Sequence, residues 1–395
     1  GLDTSVAAKW LAEEHHAEVV TVTVDVGQKE NLQRVAERAK EIGVKSHYSI
    51  DGRDEFAEDY IGRAIKANAM YEGVYPLSTS LSRPFICTKL VEIARKEKAS
   101  AIAHGCTGKG NDQVRFEVTA KSLAPDMRVL APVRDWGMSR EKEIEYAKEH
   151  GIRISAKKSI YSIDQNMWGR SIECGPLEDP SIEPSEEVYE WTVSPEKAPE
   201  KSEYVTLEFD KGVPVKLNGD ALKLAELIDR LNLIAGRHGV GRIDHIENRL
   251  VGIKSREVYE CPAATCILRA HMDLEKLVLT RHESRFKTAV ENQWSSLTYE
   301  GLWMEPLRRD LDAFIEATQE RVTGEVRLRL YKGLATPVGR ASPHSLYDLG
   351  LATYDASSTF DQSLAKGFIE LWGLPTSMAS RLIWKKESEE SLKRK

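Results

Sequence analysis

A glycine-rich polar segment at residues 104–113 carries the side chains best suited to chemistry. Its sequence is H-G-C-T-G-K-G-N-D-Q, with three glycines within six residues. Glycines let a backbone approach a ligand closely, and the polar residues between them are denser than a simple turn requires. The spacing is not that of a Walker A loop, because Gly110 is followed by Asn111 rather than by Lys and then Ser or Thr. The segment is therefore a candidate binding loop, with a structural turn as the alternative.

Arg115 stands four residues after Asn111. On a helix this spacing places the two side chains one turn apart, where both can face one ligand. A guanidinium group suits a carboxylate or a phosphate, which it binds through two parallel hydrogen bonds. We therefore expect an anionic group of the ligand at Arg115.

A second candidate loop opens the chain, with the sequence G-L-D-T-S at residues 1–5. The apolar spacing that follows it predicts a helix. Small and hydroxyl-bearing residues at a helix N-terminus offer free N–H groups and a favourable dipole to a phosphate. The same residues also serve as an ordinary helix cap, so this loop alone does not decide between the two interpretations.

Both segments resemble motifs of one enzyme family. Residues 1–5 resemble the second half of the pyrophosphatase-type loop S-G-G-x-D-[ST]-S, which several ATP-cleaving families share. Residues 105–117, G-C-T-G-K-G-N-D-Q-V-R-F-E, closely resemble the signature of the argininosuccinate synthases. Further blocks similar to that family follow in the family's order at residues 71–77, 78–84, 161–166, 246–249 and 255–260.

The resemblance implies a two-step ligation. The ureido oxygen of citrulline would attack the α-phosphate of ATP, giving citrullyl-adenylate and pyrophosphate. The amino group of aspartate would then displace AMP to form argininosuccinate, a step of arginine biosynthesis and of the urea cycle. The enzyme would mainly position three ligands and stabilise phosphate charge, with help from Mg²⁺ bound to the phosphates. The resemblance implies no metal-binding residues in the protein itself.

The resemblance also implies which residues hold each substrate. The ATP-binding residues would be Gly1, Asp3, Thr4, Ser5, Val24 and Gly105. The aspartate-binding residues would be Thr107, Asn111 and Asp112. The citrulline-binding residues would be Tyr75, Ser80, Asn111, Arg115, Ser162, Ser171, Glu247 and Tyr259. Asp112 is also a candidate general base, because it is expected close to the attacking amine.

Each of these residues also has a structural interpretation. The tyrosines could be packing residues, the serines turn or cap residues, and Glu247 a member of an exposed ion pair. His104 and His271 have no ligand spacing around them, so we interpret both as structural. The order of the motifs alongside the glycine-rich segment favours the functional interpretation.

Two other functions stay open at this point. One is a different adenylating enzyme with an ATP-pyrophosphatase loop. The other is a nucleotide-binding protein without turnover, because we expect a first strand and the Ser-Gly half of the phosphate loop to precede Gly1.

Helix and strand patterns alternate through the first 150 residues. Runs rich in β-branched and small apolar residues predict strands at residues 19–24, 47–50, 101–103 and 128–131. Strands separated by helices pair in parallel, and ligands bind beyond their carboxyl ends. We therefore predict an α/β fold with a parallel-sheet nucleotide-binding domain over residues 1–153. Within it, Pro84 is expected to open a helix.

The pattern changes beyond residue 153 to hairpins. Residues 204–209 and 213–217 flank the turn D-K-G, and residues 326–331 and 334–338 form a second pair. We predict a second, α+β synthetase domain over residues 154–395 that ends in a C-terminal helix. The family resemblance implies a homotetramer with this helix contacting neighbours; docking onto its own domain is the alternative.

Composition limits the class of protein. The 395 residues include 56 Lys and Arg against 62 Asp and Glu, a formal charge of −6. This balance argues against a nucleic-acid binder, and no apolar run approaches the roughly 18 residues that span a membrane. The five cysteines include no C-x-x-C pair, which is typical of reduced thiols and predicts a cytoplasmic protein.

Overall fold

The computed structural model describes residues 2–137, 140–152 and 160–393. Helices and strands alternate in the first part of the chain, as predicted. They are α1 (Leu2–Glu14), β1 (Val20–Asp25), α2 (Leu32–Ile42), β2 (Ser46–Asp51), α3 (Arg53–Glu55), α4 (Gly62–Lys66), α5 (Ser78–Lys96), β3 (Ala101–Ala103), α6 (Asp112–Leu123), β4 (Arg128–Leu130), α7 (Pro132–Asp135) and α8 (Arg140–Glu149). A π-helical stretch, Phe56–Ile61, joins α3 to α4.

The strands of this part form two parallel pairs. Strand β1 pairs with β2, from Val20 opposite Ser46 onward, and β3 pairs with β4. Local chemistry sets the helix ends: the side chain of Asn31 accepts from the backbone of α2, and Gly43 ends that helix with φ 87°. The predicted parallel α/β organisation is confirmed.

Helix α5 begins at Ser78, so the prediction that Pro84 opens it is wrong. Proline suits a first helical turn, which motivated the prediction, but here it lies in the helix interior. Proline has no N–H, so Pro84 supplies no helical donor for the carbonyl of Ser80 four residues earlier. The earlier start places Thr79, Ser80 and Arg83 on a helix rather than in a loop.

The second part is antiparallel, as predicted, with two sheets and a group of helices. Its elements are β5 (Ser162–Asn166), β6 (Gly169–Glu173), β7 (Glu203–Asp210), β8 (Val213–Leu217), β9 (Asp220–Ala221), α9 (Leu224–Arg237), β10 (Arg242–Asn248), β11 (Lys254–Glu260), α10 (Pro262–Val278), α11 (Arg281–Tyr299), α12 (Pro306–Gln319), β12 (Gly324–Tyr331) and β13 (Leu334–Ala341). One sheet has the order β13-β12-β7-β8-β9 and contains both predicted hairpins.

The other sheet has the order β10-β11-β6-β5, and sequence patterns did not predict it. Tyr259 of β11 stands opposite Ser171 of β6, which in turn stands opposite Asp164 of β5. Side chains directly opposite each other lie on the same face of a sheet, so this register aligns three polar residues on one face.

One hydrophobic core links the two parts of the chain, running from Val24 through Trp168 to Ala335. His271 is fully buried against it, with its ring nitrogens 2.6 Å from Oδ1 of Asn68 and 2.8 Å from Oε1 of Gln319. These amide contacts agree with the structural role predicted for His271.

The described chain divides into two compact units, residues 1–344 and residues 345–395. The second unit contains α13 (Leu349–Ala352) and α14 (Leu364–Lys393), so the predicted C-terminal helix is present. The domain boundary predicted at residue 153 lies outside the described residues and stays a prediction. Over the described ranges, none of the helices is both long and apolar enough to cross a membrane.

Candidate active site

A cavity of about 530 Å³ lies where the two loops of the first part meet the four-stranded sheet. Its wall brings together residues that are far apart in the chain. Twelve predicted site residues line it: Asp3, Thr4, Tyr75, Gly105, Thr107, Asn111, Asp112, Arg115, Ser162, Ser171, Glu247 and Tyr259.

The glycine-rich loop after β3 touches the start of α1 at the cavity, and residues 2–5, predicted as a loop, belong to that helix. A Cβ added to Gly105 would lie 3.3 Å from Oγ1 of Thr4, so Gly105 lets the loop after β3 pack closely on the start of α1. Asp3 and Thr4 belong to the first turn of α1, where backbone N–H groups have no intrahelical acceptor. The arrangement offers hydrogen-bond donors to an anion from both segments.

Gln113 fixes the shape of the glycine-rich loop. Its Nε2 donates to the carbonyl of Gly108 at 2.6 Å and to that of Gly110 at 3.2 Å. Its Oε1 accepts from Nη1 of Arg134 at 3.1 Å, which holds the amide in this orientation. One buried side chain therefore anchors two loop carbonyls.

An ionised carboxylate lies between two guanidinium groups at the start of α6. Asp112 accepts from Nε of Arg83 at 2.8 Å and from Nη1 of Arg115 at 2.9 Å. Burial raises the pKa of Asp112, but the two guanidinium charges outweigh it and hold the pKa below its usual range. Arg83 also contacts Asp164 of β5, so it ties α5 to both α6 and the sheet.

Arg115 is held on its other side by backbone and aromatic contacts. Its Nε donates to the carbonyl of Tyr299 at 3.0 Å, and its guanidinium lies 5.0 Å from the centre of the Tyr299 ring. In the part of the chain that the structure describes, Nη2 of Arg115 has no partner. The group is therefore fixed in place with one donor nitrogen available to a ligand.

A chain of hydrogen bonds joins α6 to the sheet through tyrosines. Nδ2 of Asn111 donates to the hydroxyl of Tyr299 at 2.8 Å, and that hydroxyl donates to Glu247 at 2.8 Å. The hydroxyl of Tyr259 donates to the other oxygen of Glu247 at 2.7 Å, and the Tyr259 ring stacks on Tyr75 with centroids 4.2 Å apart. These contacts position Asn111, Glu247, Tyr75 and Tyr259 together.

One face of the four-stranded sheet forms the rest of the wall. Its strands present side chains to the cavity at every second position, as the pleat requires. The residues on this face are Ser162, Asp164, Ser171, Glu173, Glu247, Glu257 and Tyr259. Because four of these seven carry a carboxyl group, this wall suits ligand groups that are cationic or donate hydrogen bonds.

Arg249 lies among the carboxyl groups of this wall. Its Nη2 contacts both Glu173 and Glu257, and its Nε donates to Oγ of Ser255 at 2.7 Å. Burial raises the pKa of Glu257 well above its usual range, and the negative charges of Glu173 and Glu247 raise it further.

Among the described residues, three predicted site residues are not part of the lined wall. Gly1 lies outside the described residues. Ser5 and Val24 are buried, and the Val24 carbonyl accepts from Nε2 of Gln28 at 2.9 Å. Ser80 is fully buried on α5, where its hydroxyl has no hydrogen-bond partner among the described residues.

Sequence reasoning missed several residues of the site. Arg83, Arg249 and Glu257 lie inside the motif blocks that resembled the family, so a residue-by-residue reading of those blocks could have found them. Tyr299 lies in none of the blocks, and its contact with Arg115 spans 184 residues. Nothing in the sequence pattern indicated it.

His104 lies beside the glycine-rich loop and packs against Phe116. Its ring stacks on Phe116 with centroids 5.9 Å apart, and its Nδ1 accepts from the backbone of Cys106 at 3.3 Å. Burial lowers the pKa of His104, which favours the neutral ring. The structural role of His104 stays a prediction.

Comparison with known proteins decides the family. Residues 1–153 match the model of the arginosuccinate synthase N-terminal HUP domain, and residues 161–379 match that of the arginosuccinate synthase C-terminal domain. The chain belongs to the argininosuccinate synthase family.

Relatives named argininosuccinate synthase cover nearly the whole chain. The protein of Pyrococcus furiosus is 60% identical over 383 residues, which are 97% of this chain and 93% of the relative. That of Rubrobacter xylanophilus is 59% identical, over 95% of this chain and 92% of its own. That of Pyrobaculum aerophilum is 56% identical over 96% of each. The family resemblance that the motifs indicated is therefore confirmed over both parts of the chain.

Proposed function

We propose that this argininosuccinate synthase family member ligates citrulline and aspartate to argininosuccinate through a citrullyl-adenylate, releasing AMP and pyrophosphate. One observation carries the proposal: a single cavity joins the phosphate-type loops, the Arg115–Asp112 pair and the polar face of the sheet. The relatives that support it are named for the same activity. The reaction is a ligase step of arginine biosynthesis, and in organisms with a urea cycle it belongs to that cycle.

The ATP phosphates would lie between the first turn of α1 and the loop after β3. Asp3, Thr4 and Gly105 line the cavity there. Ser5, next along α1, would complete the cradle with Gly1, and the backbone near Val24 would contact the nucleoside. The helix dipole and free N–H groups would stabilise the charge on the phosphates.

Mg²⁺ fits this site as an ion carried by the phosphates. Among the described residues, no group of three or more His, Cys, Asp or Glu side chains is placed to hold a metal. Mg²⁺ needs no such cage, because it usually binds through substrate phosphates, waters and one or two carboxylates. Asp3 would supply a carboxylate, and the ion would neutralise phosphate charge.

Aspartate would bind at the start of α6. Thr107 and Asn111 would hold its polar groups, and the ionised Asp112 would pair with its ammonium group. The lowered pKa makes Asp112 a strong partner for a cation and a weak proton acceptor. The role of Asp112 as general base therefore stays a prediction.

Citrulline would bind between α5, α6 and the sheet. Arg115 would bind its carboxylate, and Asn111 would touch both amino acids at the point where they are joined. The remaining contacts would come from Tyr75, Ser80, Ser162, Ser171, Glu247 and Tyr259. Adenylation converts the ureido oxygen into a good leaving group, so positioning the ligands would supply most of the catalysis.

We also propose that the protein is a cytoplasmic homotetramer with its C-terminal helix in the subunit contacts. Helix α14 exposes Phe368, Ile369, Leu371 and Trp372. A run of large apolar side chains on one helix marks a surface for association.

The proposed function predicts a distinct pattern of pyrophosphate release. With ATP, citrulline and aspartate together, release should continue over many turnovers. Omission of aspartate should limit release to about one equivalent per site, because only the adenylate forms. Omission of citrulline should reduce release by at least about 100-fold, because the attacking oxygen is missing. A coupled pyrophosphate assay measures release under all three substrate conditions. Release that is independent of citrulline would contradict the proposal.

Gln113→Ala should weaken the binding of ATP and aspartate. The change removes two hydrogen bonds to loop carbonyls, about 2 kcal/mol in total, so we expect each KM to rise by up to about 30-fold. Steady-state kinetics measures this, and Gln33→Ala on the exposed side of α2 is the control. Unchanged KM values in a folded variant would show that the loop keeps its shape without this anchor.

A further inference from the structure

Three carboxyl groups crowd one part of the cavity wall, and they are not equally stabilised. Glu247 accepts hydrogen bonds from two tyrosine hydroxyls, at 2.7 and 2.8 Å. Glu173 and Glu257 instead share one donor, Nη2 of Arg249. Across the described ranges, Glu257 has no other hydrogen bond. The ionised form of Glu257 is therefore the least stabilised of the three carboxylates.

The charges on this wall do not balance. Three ionised carboxylates and one guanidinium would leave a charge of −2 against the cavity. The side chain of Glu257 is 8% exposed, whereas that of Glu173 is 34% exposed. Burial and the repulsion between Glu173 and Glu257 both disfavour a negative charge on the more buried of the two. A proton shared between these two carboxyl groups therefore resides on Glu257. The raised pKa of Glu257 agrees with this assignment.

The groups around Glu257 offer little further compensation. The titratable groups that face it are Glu173 and Cys174 at the end of β6, His245 and Glu247 on β10, Arg249 after β10, and Tyr259 on its own strand. His245 is paired with Glu72 at 2.9 Å. Burial raises the pKa of the Cys174 thiol and that of the Tyr259 hydroxyl, so both stay neutral.

We propose that Glu257 is a ligand-linked proton site: its carboxyl group holds a proton before citrulline binds and releases it when the ammonium group of citrulline enters the cavity. The identity of the ligand rests on the proposed function. The ammonium group brings the positive charge that the wall lacks, so the ionised form of Glu257 becomes favourable. The O–H bond of the carboxyl group breaks, its electron pair stays on the carboxylate, and the proton passes to the buffer.

The proposal fixes the direction of the pH dependence. Release of a proton on binding means that affinity rises with pH. While Glu257 is protonated in the free protein, the Kd for citrulline should fall by up to about tenfold per pH unit. Above that range, where Glu257 is already ionised, the Kd should become independent of pH.

Calorimetric titration of the full chain with L-citrulline alone tests the proposal. Two buffers of equal pH and different ionisation enthalpy report the number of protons released. Across a series of pH values, we expect the native protein to release up to one proton for each citrulline bound. Glu257→Gln should release close to none and bind about tenfold more weakly at high pH, since its side chain stays neutral.

Two further variants separate the proton site from a structural role. Glu173→Gln removes the neighbouring charge, so it should lower the pKa of Glu257 and reduce proton release at neutral pH. Glu208→Gln, in a half-exposed pair with Lys216 on the other sheet, should leave the release unchanged. Thermal unfolding of each variant verifies that it is folded.

The outcomes are distinct. Citrulline binding without a buffer-dependent heat would overturn the proton site and leave the proposed function intact. Proton release retained by Glu257→Gln would also overturn it, because another group would then be responsible. Citrulline-independent pyrophosphate release would instead contradict the proposed function itself.

Discussion

Replacing Arg115 by Ala should raise the citrulline requirement by about 100-fold and change the KM for ATP far less. A guanidinium that pairs with a carboxylate contributes about 1.5–3 kcal/mol per charged hydrogen bond, and about 2.7 kcal/mol corresponds to 100-fold. The side chain is 5% exposed, so water replaces little of the lost contact. Steady-state kinetics with each substrate varied in turn measures the difference.

The Arg115→Lys variant distinguishes charge from geometry. Lysine keeps the positive charge but lacks the planar set of donors with which Arg115 reaches Asp112, the Tyr299 carbonyl and a ligand together. We expect it to recover only part of the citrulline affinity. Arg95→Ala, which removes an exposed pair with Asp126, is the matched control and should leave all three KM values unchanged. Unchanged citrulline dependence in Arg115→Ala would show that the citrulline site lies elsewhere.

Replacing Asp112 by Asn should raise the KM for aspartate by about 100-fold. The variant removes the carboxylate proposed to bind the ammonium group, and it leaves Arg83 and Arg115 without their shared counter-charge. Removing one partner of a fully buried pair costs about 3–5 kcal/mol, and the partial exposure of this pair reduces that value. Because Arg115 also loses a partner, citrulline binding should weaken as well, by about tenfold or less.

The effects of Asp112→Asn on KM and on kcat separate the two roles proposed for Asp112, which are ammonium partner and general base. Its pKa lies below the usual range, so the carboxylate is ionised at neutral pH and its charge is lost only as pH falls through the lowered pKa. An ammonium partner predicts that Asp112→Asn changes KM for aspartate much more than kcat. A general base predicts the reverse. Asp126→Asn, on an exposed loop, is the control; an unaltered aspartate KM in Asp112→Asn would contradict both the binding role and its location.

Sequence patterns predicted the elements whose residues strongly prefer one type of secondary structure. The β-branched run predicted over residues 19–24 matches β1, because such residues strongly favour the extended backbone of a strand. The glycine-rich segment after β3 was predicted as a candidate binding loop for a similar reason, and its residues line the cavity. Its composition suits close approach to a ligand better than it suits a plain turn.

The four-stranded sheet was missed for a physical reason. A half-buried strand is recognised by alternating apolar and polar residues. In β10 and β11 the face that would otherwise be apolar lines the cavity, so Glu247, Glu257 and Tyr259 take the places of core residues. Both faces then carry polar side chains, and the alternation disappears.

The sequence by itself determined the family, the parallel α/β part and most of the residues that line the cavity. Those results depend on local composition and on motif order, which the chain carries in one dimension. Only the tertiary structure decided that Tyr299 connects Arg115 to Glu247 and that Arg249 serves two carboxylates. Contacts between residues so far apart in the chain depend on the packing of whole elements, and the charge balance of the cavity follows from those contacts.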